Sequence, residues 1–485
     1  MKNIDMENEI LNGVLAEFEN LAAIPRMTGH EKAVSDFLRD YMEKMGLRVI
    51  QDEKYNLIAD LPASEGMEQA PLTILQGHMD MVCVAEEGRS YDPLKDPIRL
   101  LRDEKYLRAD GTSLGADDGI GIAEILYIMK DLKKHGPIRA IFTVDEEQGM
   151  SGAEYLDAKY LQDAKYLINC DSENYDELTI GCAGNVSIYF ERTLSWKAPG
   201  HGKAYQVEIR GLCGGHSGER IGDGRGNAIR ILAQALREIQ KTSKTELALI
   251  TGGKAMNAIP DSARAVIATD LSADEMEKCL ARCRERLQAI YGNIEKNAVL
   301  EAKACPVPVR VMAYEDSQRL LQLVTLLHTG IYANSQEVPG LIETSANLGI
   351  IHTEGDKTEL RLLPRSAVDQ KLEEFCQMAE DLAELTGFEL RHSRINPGWK
   401  ERVNSPLTAL LCEIFERQNG KPMKVGAIHA GVECGWHFKK NPALDIVSIG
   451  VTTLDIHSPR ERLLLETVAP QVKLIEESLR KIAEM

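Results

Sequence analysis

Four apolar, strand-like runs in this chain each lead into side chains that can bind a metal: Leu75-Gln-Gly-His78-Met-Asp80, Val144-Asp-Glu146-Glu147, Ile168-Asn-Cys-Asp171 and Ile449-Gly-Val-Thr-Thr-Leu-Asp-Ile-His457. In an open α/β sheet the ligand crevice lies outside the carboxyl ends of the strands. Side chains that follow buried strands therefore collect along one edge, however far apart they stand in sequence. A fifth cluster, Gly115-Ala-Asp117-Asp118-Gly, puts carboxylates on a loop just before a helix, where free backbone N–H groups favour negative charge.

The surrounding periodicity agrees with that architecture. Pro71–Gln76, Ile138–Val144 and Lys165–Asn169 read as buried strands, with a helix over Gly119–Lys134 between the first two. The same grammar returns late, with a strand at Asp445–Gly450 and apolar spacing of a closing helix over Arg462–Ile482. Between these parts the order changes to strand–helix–strand units: Ala204–Arg210, helix Asn227–Lys241, Leu247–Thr251, Ser262–Asp270 and helix Ala273–Tyr291. A second set follows, with Val309–Arg310, helix Ser317–Ala333, Leu348–His352, Glu359–Leu363, helix Val368–Leu385 and Phe388–Arg394. The expected organisation is a discontinuous α/β metal-binding catalytic domain, 1–184 with 397–485, and an inserted α+β lid or dimerisation-like domain, 185–396. Element order alone, without self-similarity in the residues, raises a duplication inside the insert.

Composition narrows the function classes. At 485 residues the chain is long enough for two cores, and 44% hydrophobic with 27% charged residues is the balance of a globular protein. A formal charge of −18, with no basic block, repels phosphate backbones and argues against nucleic acid. No apolar run approaches the ~20 residues that span a bilayer, and the start lacks a basic segment followed by an apolar one. No membrane association and a cytoplasmic location are the expectation. Ten cysteines without a C-x-x-C pair read as reduced thiols, and Cys279 and Cys283, at helical spacing, as packing residues.

A pair of divalent ions about 3.5–4 Å apart needs one carboxylate that bridges them and further N/O ligands on each side. The five clusters hold that inventory. Adjacent residues on an extended segment point in different directions, so Glu146 and Glu147 need not do the same work. Asp80, two residues after His78, points to the same side and can accept the second imidazole N–H.

His78-x-Asp80, Gly115-Ala-Asp117-Asp118-Gly, Asp145-Glu146-Glu147-x-Gly, Asp171 and His457 follow in order the motifs of the co-catalytic metallopeptidases that include carboxypeptidase G, aminoacylase and succinyl-diaminopimelate desuccinylase, and the chain resembles that family over nearly its whole length. Within it, Gly181-Cys-Ala-Gly184, Gly214-Gly-His-Ser-Gly218, Asn257-Ala-Ile-Pro260, Ile428-His-Ala-Gly-Val-Glu-Cys-Gly435 and His457-Ser-Pro459 look like the blocks of the aminoacyl-histidine dipeptidase branch. The resemblance implies two divalent ions, zinc first with manganese or cobalt as alternatives. It implies that His78 and Asp171 bind one, Glu147 and His457 the other, and Asp117 both. Asp171 stands where much of the family has Glu, and the dipeptidase branch resembles this chain in having Asp there. Glu146 matches the general base that activates a metal-bridging water, with hydrolysis of Xaa-His-type dipeptides as the implied activity.

The same resemblance makes His216 the donor to the oxyanion, in relatives often across a homodimer. Asn257, Arg365 and Ser366 are substrate-side candidates for backbone or carboxylate contacts, as is Gly431 in the Ala430–Gly431 turn. The glycine-rich stretch around His216 lacks the spacing of a nucleotide cradle. His429, Glu433 and His437, four residues apart, form a rival zinc set, although Gly431 and Gly435 disfavour a regular helix there. Two other activities share the same inventory: hydrolysis of N-acyl amino acids, and metal-binding regulation without turnover.

Overall fold

The computed structural model describes residues 2–485. The chain divides into two compact units: unit 1 runs up to Cys182 and includes Trp399–Ala427 and Val432–Met485, and unit 2 comprises Ala183–Gly398 and Ile428–Gly431. The short return of the chain to unit 2 at Ile428–Gly431 has no counterpart in the sequence reading.

Unit 1 is built on a mixed sheet whose centre consists of β1 (Thr73–His78), β2 (Ile138–Thr143), β3 (Tyr166–Asn169) and β4 (Asp445–Ser448), in the spatial order β2-β1-β3-β4. All three pairings are parallel, and the register sets His78 opposite Thr143 and aligns Gln76, Asn169 and Ser448 in one row. Such strands are covered on both faces, which is why they read as nearly unbroken apolar runs. Every residue of β1, β3 and β4 is buried.

The helix after the fifth cluster, α1 (Ala116–Asp131), has non-helical φ/ψ at Asp117 and Asp118, so its regular part starts at Gly119 as the periodicity predicts, and it ends three residues earlier than expected. Ile120, Ile122, Ile125, Leu126 and Ile128 are all buried, so α1 is apolar nearly all round. The helices Lys2–Ala22 and Val468–Ala483 pack on it. The predicted closing helix from Arg462 is shortened: Arg462–Leu464 is instead a strand paired with Tyr106–Ala109. Cross-strand pairing takes those residues before the helix can start.

Unit 2 holds two sets of the same β-α-β-β-α-β order. The first is Lys203–Arg210, helix Ala228–Thr242, Thr245–Gly252, Ala263–Thr269, helix Ala273–Tyr291 and Val299–Cys305. The second opens with Ile188–Thr193 and resumes with helix Tyr314–Leu326, Ile342–Glu354, Lys357–Ser366, helix Asp369–Thr386 and Glu389–His392. Each set arranges its strands in the spatial order 4-1-3-2, and their second strands meet at Gly252 and Ile351 to give one continuous sheet. The duplication is therefore present in topology. The first set is nested between the first strand and the first helix of the second, so Val309–Arg310 does not open the second set. The predicted helix Ser317–Ala333 also stops at Leu326; Gly330–Asn334 turns into a strand on Ile342–Glu354.

Candidate metal centre

His78 is the last residue of β1, Glu146 and Glu147 follow β2, Asp171 follows β3, and His457 lies beyond β4. Asp117 enters from the loop into α1. One of its carboxylate oxygens is 3.0 Å from His78 Nε2, and the other is 3.1 Å from His457 Nε2. Asp171 Oδ1 stands 3.4 Å from the same His78 nitrogen. Glu147 stands 2.9 Å from the same His457 nitrogen. The result is two imidazole–carboxylate pairs that share a third carboxylate, one oxygen in each.

Two ligands bound tetrahedrally to one ion at ~2.0–2.1 Å lie roughly 3.3 Å apart, which matches these separations. The ligand atoms of His78, Asp117 and Glu147 all lie within 4.8 Å of one another. Asp80 Oδ1 is 3.5 Å from His78 Nδ1, at the outer edge of a hydrogen bond, and that nitrogen has no closer partner. The Asp80 carboxylate also accepts the backbone N–H groups of Glu146 at 3.1 Å and Glu147 at 3.2 Å. Asp145, with φ 57°, makes the left-handed turn that presents these amides, and His457 itself has φ 56°. Strained backbone of this kind gathers at functional sites.

Comparison with known proteins agrees with the geometry. The sequence pattern of peptidase family M20/M25/M40 matches residues 74–481. The chain belongs to this family. The peptidase is 33% identical over 468 residues to the cytosol non-specific dipeptidase of Escherichia coli (strain K12), covering 96% of each chain. It superposes on the crystal structure of aminoacylhistidine dipeptidase from Vibrio alginolyticus with a TM-score of 0.90 at 33% identity, covering 97% of this chain and 96% of that one. A tripeptidase structure from Staphylococcus aureus, TM-score 0.59 at 18% identity over 98% of this chain and 99% of that one, shares the fold. The chain is a metallopeptidase.

The electrostatics of the peptidase fit a cation pair. Asp80, Asp117, Asp118, Glu146, Glu147 and Asp171 surround His78 and His457, and among the described residues no lysine or arginine hydrogen-bonds to any of these carboxylates. Without metal, hydrogen bonds to Asp117 and Glu147 push His457 up to about 10. Burial pushes Asp171 up to about 8. Burial also raises Glu146 well above the ordinary carboxylate range, with Asp171, Glu433 and Asp117 adding to it. Burial works on Asp117 in the same direction, but hydrogen bonds from His457 and His78 hold it below that range. Nitrogen and carboxylate oxygen donors in a negative well are what divalent ions of the zinc class take.

Under this cluster runs a hydrogen-bond network that sequence reasoning missed. Gln76 Nε2 and Thr143 Oγ1 each donate to Glu433 Oε2 at 2.6 Å. Asn169 Nδ2 donates to Gln76 Oε1 at 2.7 Å, and Ser448 Oγ donates to Asn169 Oδ1 at 2.5 Å. All five side chains are buried. They tie the four central strands together, two residues before His78 and Asp171, three before Glu146 and nine before His457. Its trace in the sequence is a polar residue two places before a ligand inside an apolar run: Gln76 before His78, Asn169 before Asp171.

The remaining predicted residues lie in unit 2. His216, in the short strand Gly215–His216, is half-buried, and burial lowers its proton affinity, with Arg365 adding to the effect. Asn257 is exposed, and its backbone carbonyl accepts the Ser217 N–H at 2.7 Å. Arg365, on Lys357–Ser366, is buried with its Nε unpartnered, and burial lowers its pKa to about 10. Ser366 is wholly buried, and its hydroxyl is taken up by Thr344 Oγ1 at 2.9 Å and the Val368 N–H at 3.1 Å. It braces the turn into helix Asp369–Thr386. Gly431 is half-buried at the end of the Ile428–Gly431 return. His429 Nε2 lies 2.7 Å from Ser345 Oγ, and burial lowers its pKa to about 4. In unit 1, Glu433 belongs to the network above, and His437 is buried with both ring nitrogens unpartnered. Each member of the rival zinc set thus has an environment of its own.

Proposed function

We propose that the chain hydrolyses dipeptides, Xaa-His dipeptides among them, with Glu146 carrying the proton. The observation behind this reading is the Asp117 carboxylate, divided at 3.0 and 3.1 Å between His78 and His457. The names of the Escherichia coli and Vibrio relatives, a cytosol non-specific dipeptidase and an aminoacylhistidine dipeptidase, supply the substrate class and support a cytoplasmic location. No helix of the described residues is long and apolar enough to cross a membrane.

In this reading His78 and Asp171 hold one ion, His457 and Glu147 the other, and Asp117 both. The donor set suits zinc, with manganese or cobalt as substitutes. The bound ions supply Lewis acidity, which lowers the pKa of water and polarises the scissile carbonyl. Glu146, half-buried and with raised proton affinity, takes a proton from the attacking water at its carboxylate and returns it to the leaving amine. Asp80 keeps Glu146 and Glu147 on separate tasks by holding their successive amides, and it orients the His78 ring. In unit 2 the neutral imidazole of His216 is the oxyanion donor. Arg365, a buried guanidinium without a carboxylate partner, takes the substrate's carboxylate, while Asn257 and the Gly431 backbone contact its main chain.

The test is metal analysis and hydrolysis of Ala-His, β-Ala-His and an N-acetyl amino acid, for wild type and Glu146→Gln. Two divalent ions are expected in both proteins, with kcat reduced about 10²–10⁴-fold in the variant. Wild-type turnover by Glu146→Gln would remove Glu146 from its role. Faster cleavage of the N-acetyl amino acid than of either dipeptide would overturn the substrate class.

A further inference from the structure

Glu461 stands four residues beyond His457 and is only 2% exposed. Its carboxylate accepts from backbone alone. Oε2 takes the N–H groups of Leu114 at 2.8 Å and Gly115 at 3.1 Å, and Oε1 those of Ala116 at 2.8 Å and Asp117 at 3.4 Å. Four successive amides converge on one group because Gly115 is left-handed, at φ 69°, ψ 32°, which folds the turn into a concave nest of N–H donors. The carbonyl side of the same turn is held by Arg26. Its fully buried guanidinium donates to Met79 O at 3.0 Å, Asp80 O at 3.1 Å and Gly115 O.

These contacts join three ligand-bearing segments. Glu461 connects the His457 loop to the Asp117 loop, and Arg26 connects the Asp117 loop to the residues directly after His78. The link from His457 to Glu461 is itself tight: Ser458 Oγ donates to Asp455 O at 2.6 Å, and the Glu461 N–H donates to Ser458 O at 3.1 Å. Directly downstream of Glu461 the chain enters the strand Arg462–Leu464, whose first residue pairs with Arg108 of Tyr106–Ala109.

We propose that Glu461, supported by Arg26, is a positioning residue of the metal centre that fixes Asp117 between the two histidines before any ion binds. This rests on reading His78, Asp117 and His457 as metal ligands. A bridging carboxylate has to present its two oxygens in two directions, which requires a fixed backbone. The amides of residues 114–117 are satisfied by Glu461, and the Gly115 carbonyl by Arg26 and the Gly119 N–H, so loss of the carboxylate would leave buried donors of this loop without their partner. Glu461 also fills the helix N-terminus with a fixed carboxylate, so that no free anion competes for it.

A cap that served stability alone would leave metal affinity in the folded protein unchanged. Chelator competition on wild type, Glu461→Gln and Leu411→Ala separates the two roles, Leu411 being a fully buried core residue on helix Pro406–Asn419. Glu461→Gln sets an NH₂ group against backbone N–H donors, and zinc affinity is expected to fall about 10–100-fold, the usual size of such effects. KM for Ala-His on zinc-saturated enzyme should stay at the wild-type value. Leu411→Ala should lower Tm and leave zinc affinity alone. Wild-type affinity in Glu461→Gln, or an equal loss in Leu411→Ala, overturns the proposal. Should Glu461→Gln not fold, hydrogen exchange on metal-free wild type decides: protected amides at 114–117 are expected, and free exchange there overturns it. A wild type that binds no zinc at all would instead sink the metal reading itself.

Discussion

His437 offers a prediction that can be worked through with numbers. It lies on the helix Cys434–Lys440, directly after Glu433, is 0% exposed, and neither ring nitrogen has a protein partner. Burial lowers its pKa from 6.5 to about 3. The folded state therefore resists protonation while the unfolded chain accepts a proton as soon as pH drops below 6.5. Stability is unaffected above that point, falls as pH falls from 6.5 towards 3, and changes no further below. At pH 5, about 1.5 pH units below the unfolded value, binding of this one proton by the unfolded chain removes ~2 kcal/mol. His437→Leu, close in volume and without a titratable group, should abolish that share. Urea unfolding of chelator-treated protein at pH 7.5 and pH 5, followed through Trp399 and Trp436 of unit 1, measures it. The variant should lose ~2 kcal/mol less than wild type between the two conditions. An identical loss in both proteins would show that His437 is solvated or paired, and the reasoning from burial would fail. The consequence reaches the metal centre, because Glu433 at the start of this helix holds Gln76 and Thr143 beneath the ligands.

Two further substitutions test other parts of the site. Arg365→Met removes a buried cation that has no carboxylate partner, so unit 2 should gain ~1–3 kcal/mol in thermal unfolding, while KM for dipeptides rises tenfold or more with kcat little changed; a loss of stability, or an unaltered KM, contradicts this. At Gly450, just past β4, an added Cβ would fall 1.7 Å from Ser172 O, beside Asp171. Gly450→Ala must then spread the strand ends, with an expected destabilisation of ~3 kcal/mol and weaker zinc binding in a metal titration, and wild-type values of both would refute the close approach.

Most of the carboxylate and imidazole cluster was legible in the residues, because His78, Glu146, Glu147 and Asp171 closely follow apolar runs and periodicity reports buried strands well. Asp117 and Asp118 read as a loop before a helix, and their backbone is indeed non-helical, with the Asp117 amide held by Glu461. Other element ends were less legible. The Arg462–Leu464 strand was read as helix because its leucines fit both periods, and the pairing with Tyr106–Ala109 decided between them. The nesting of one β-α-β-β-α-β set within the other was hidden for a similar reason. Ile188–Thr193 finds its partners, Lys357–Ser366 and Glu389–His392, only across the whole inserted set.

Ser366 shows where residue type misleads. Beside Arg365 it resembles a polar substrate contact, yet alternation along the strand turns the two side chains to opposite faces, and Ser366 faces inward. Gln76, Asn169, Glu433, Arg26 and Glu461 were the opposite case, since their work is done through partners up to 357 residues away.

By itself the sequence determined which donors this protein owns, the strand ends that carry them, and the family they belong to, since composition and periodicity follow from the order of residues along the chain. Only the tertiary structure decided that Asp117 turns one oxygen to each histidine, that Asp80 holds the amides of Glu146 and Glu147, and that Glu461 and Arg26 grip the loop between them. A periodic pattern assigns a side chain to a face. Hydrogen bonds and metal ligation depend on a few tenths of an ångström between groups that packing brings together from distant parts of the chain.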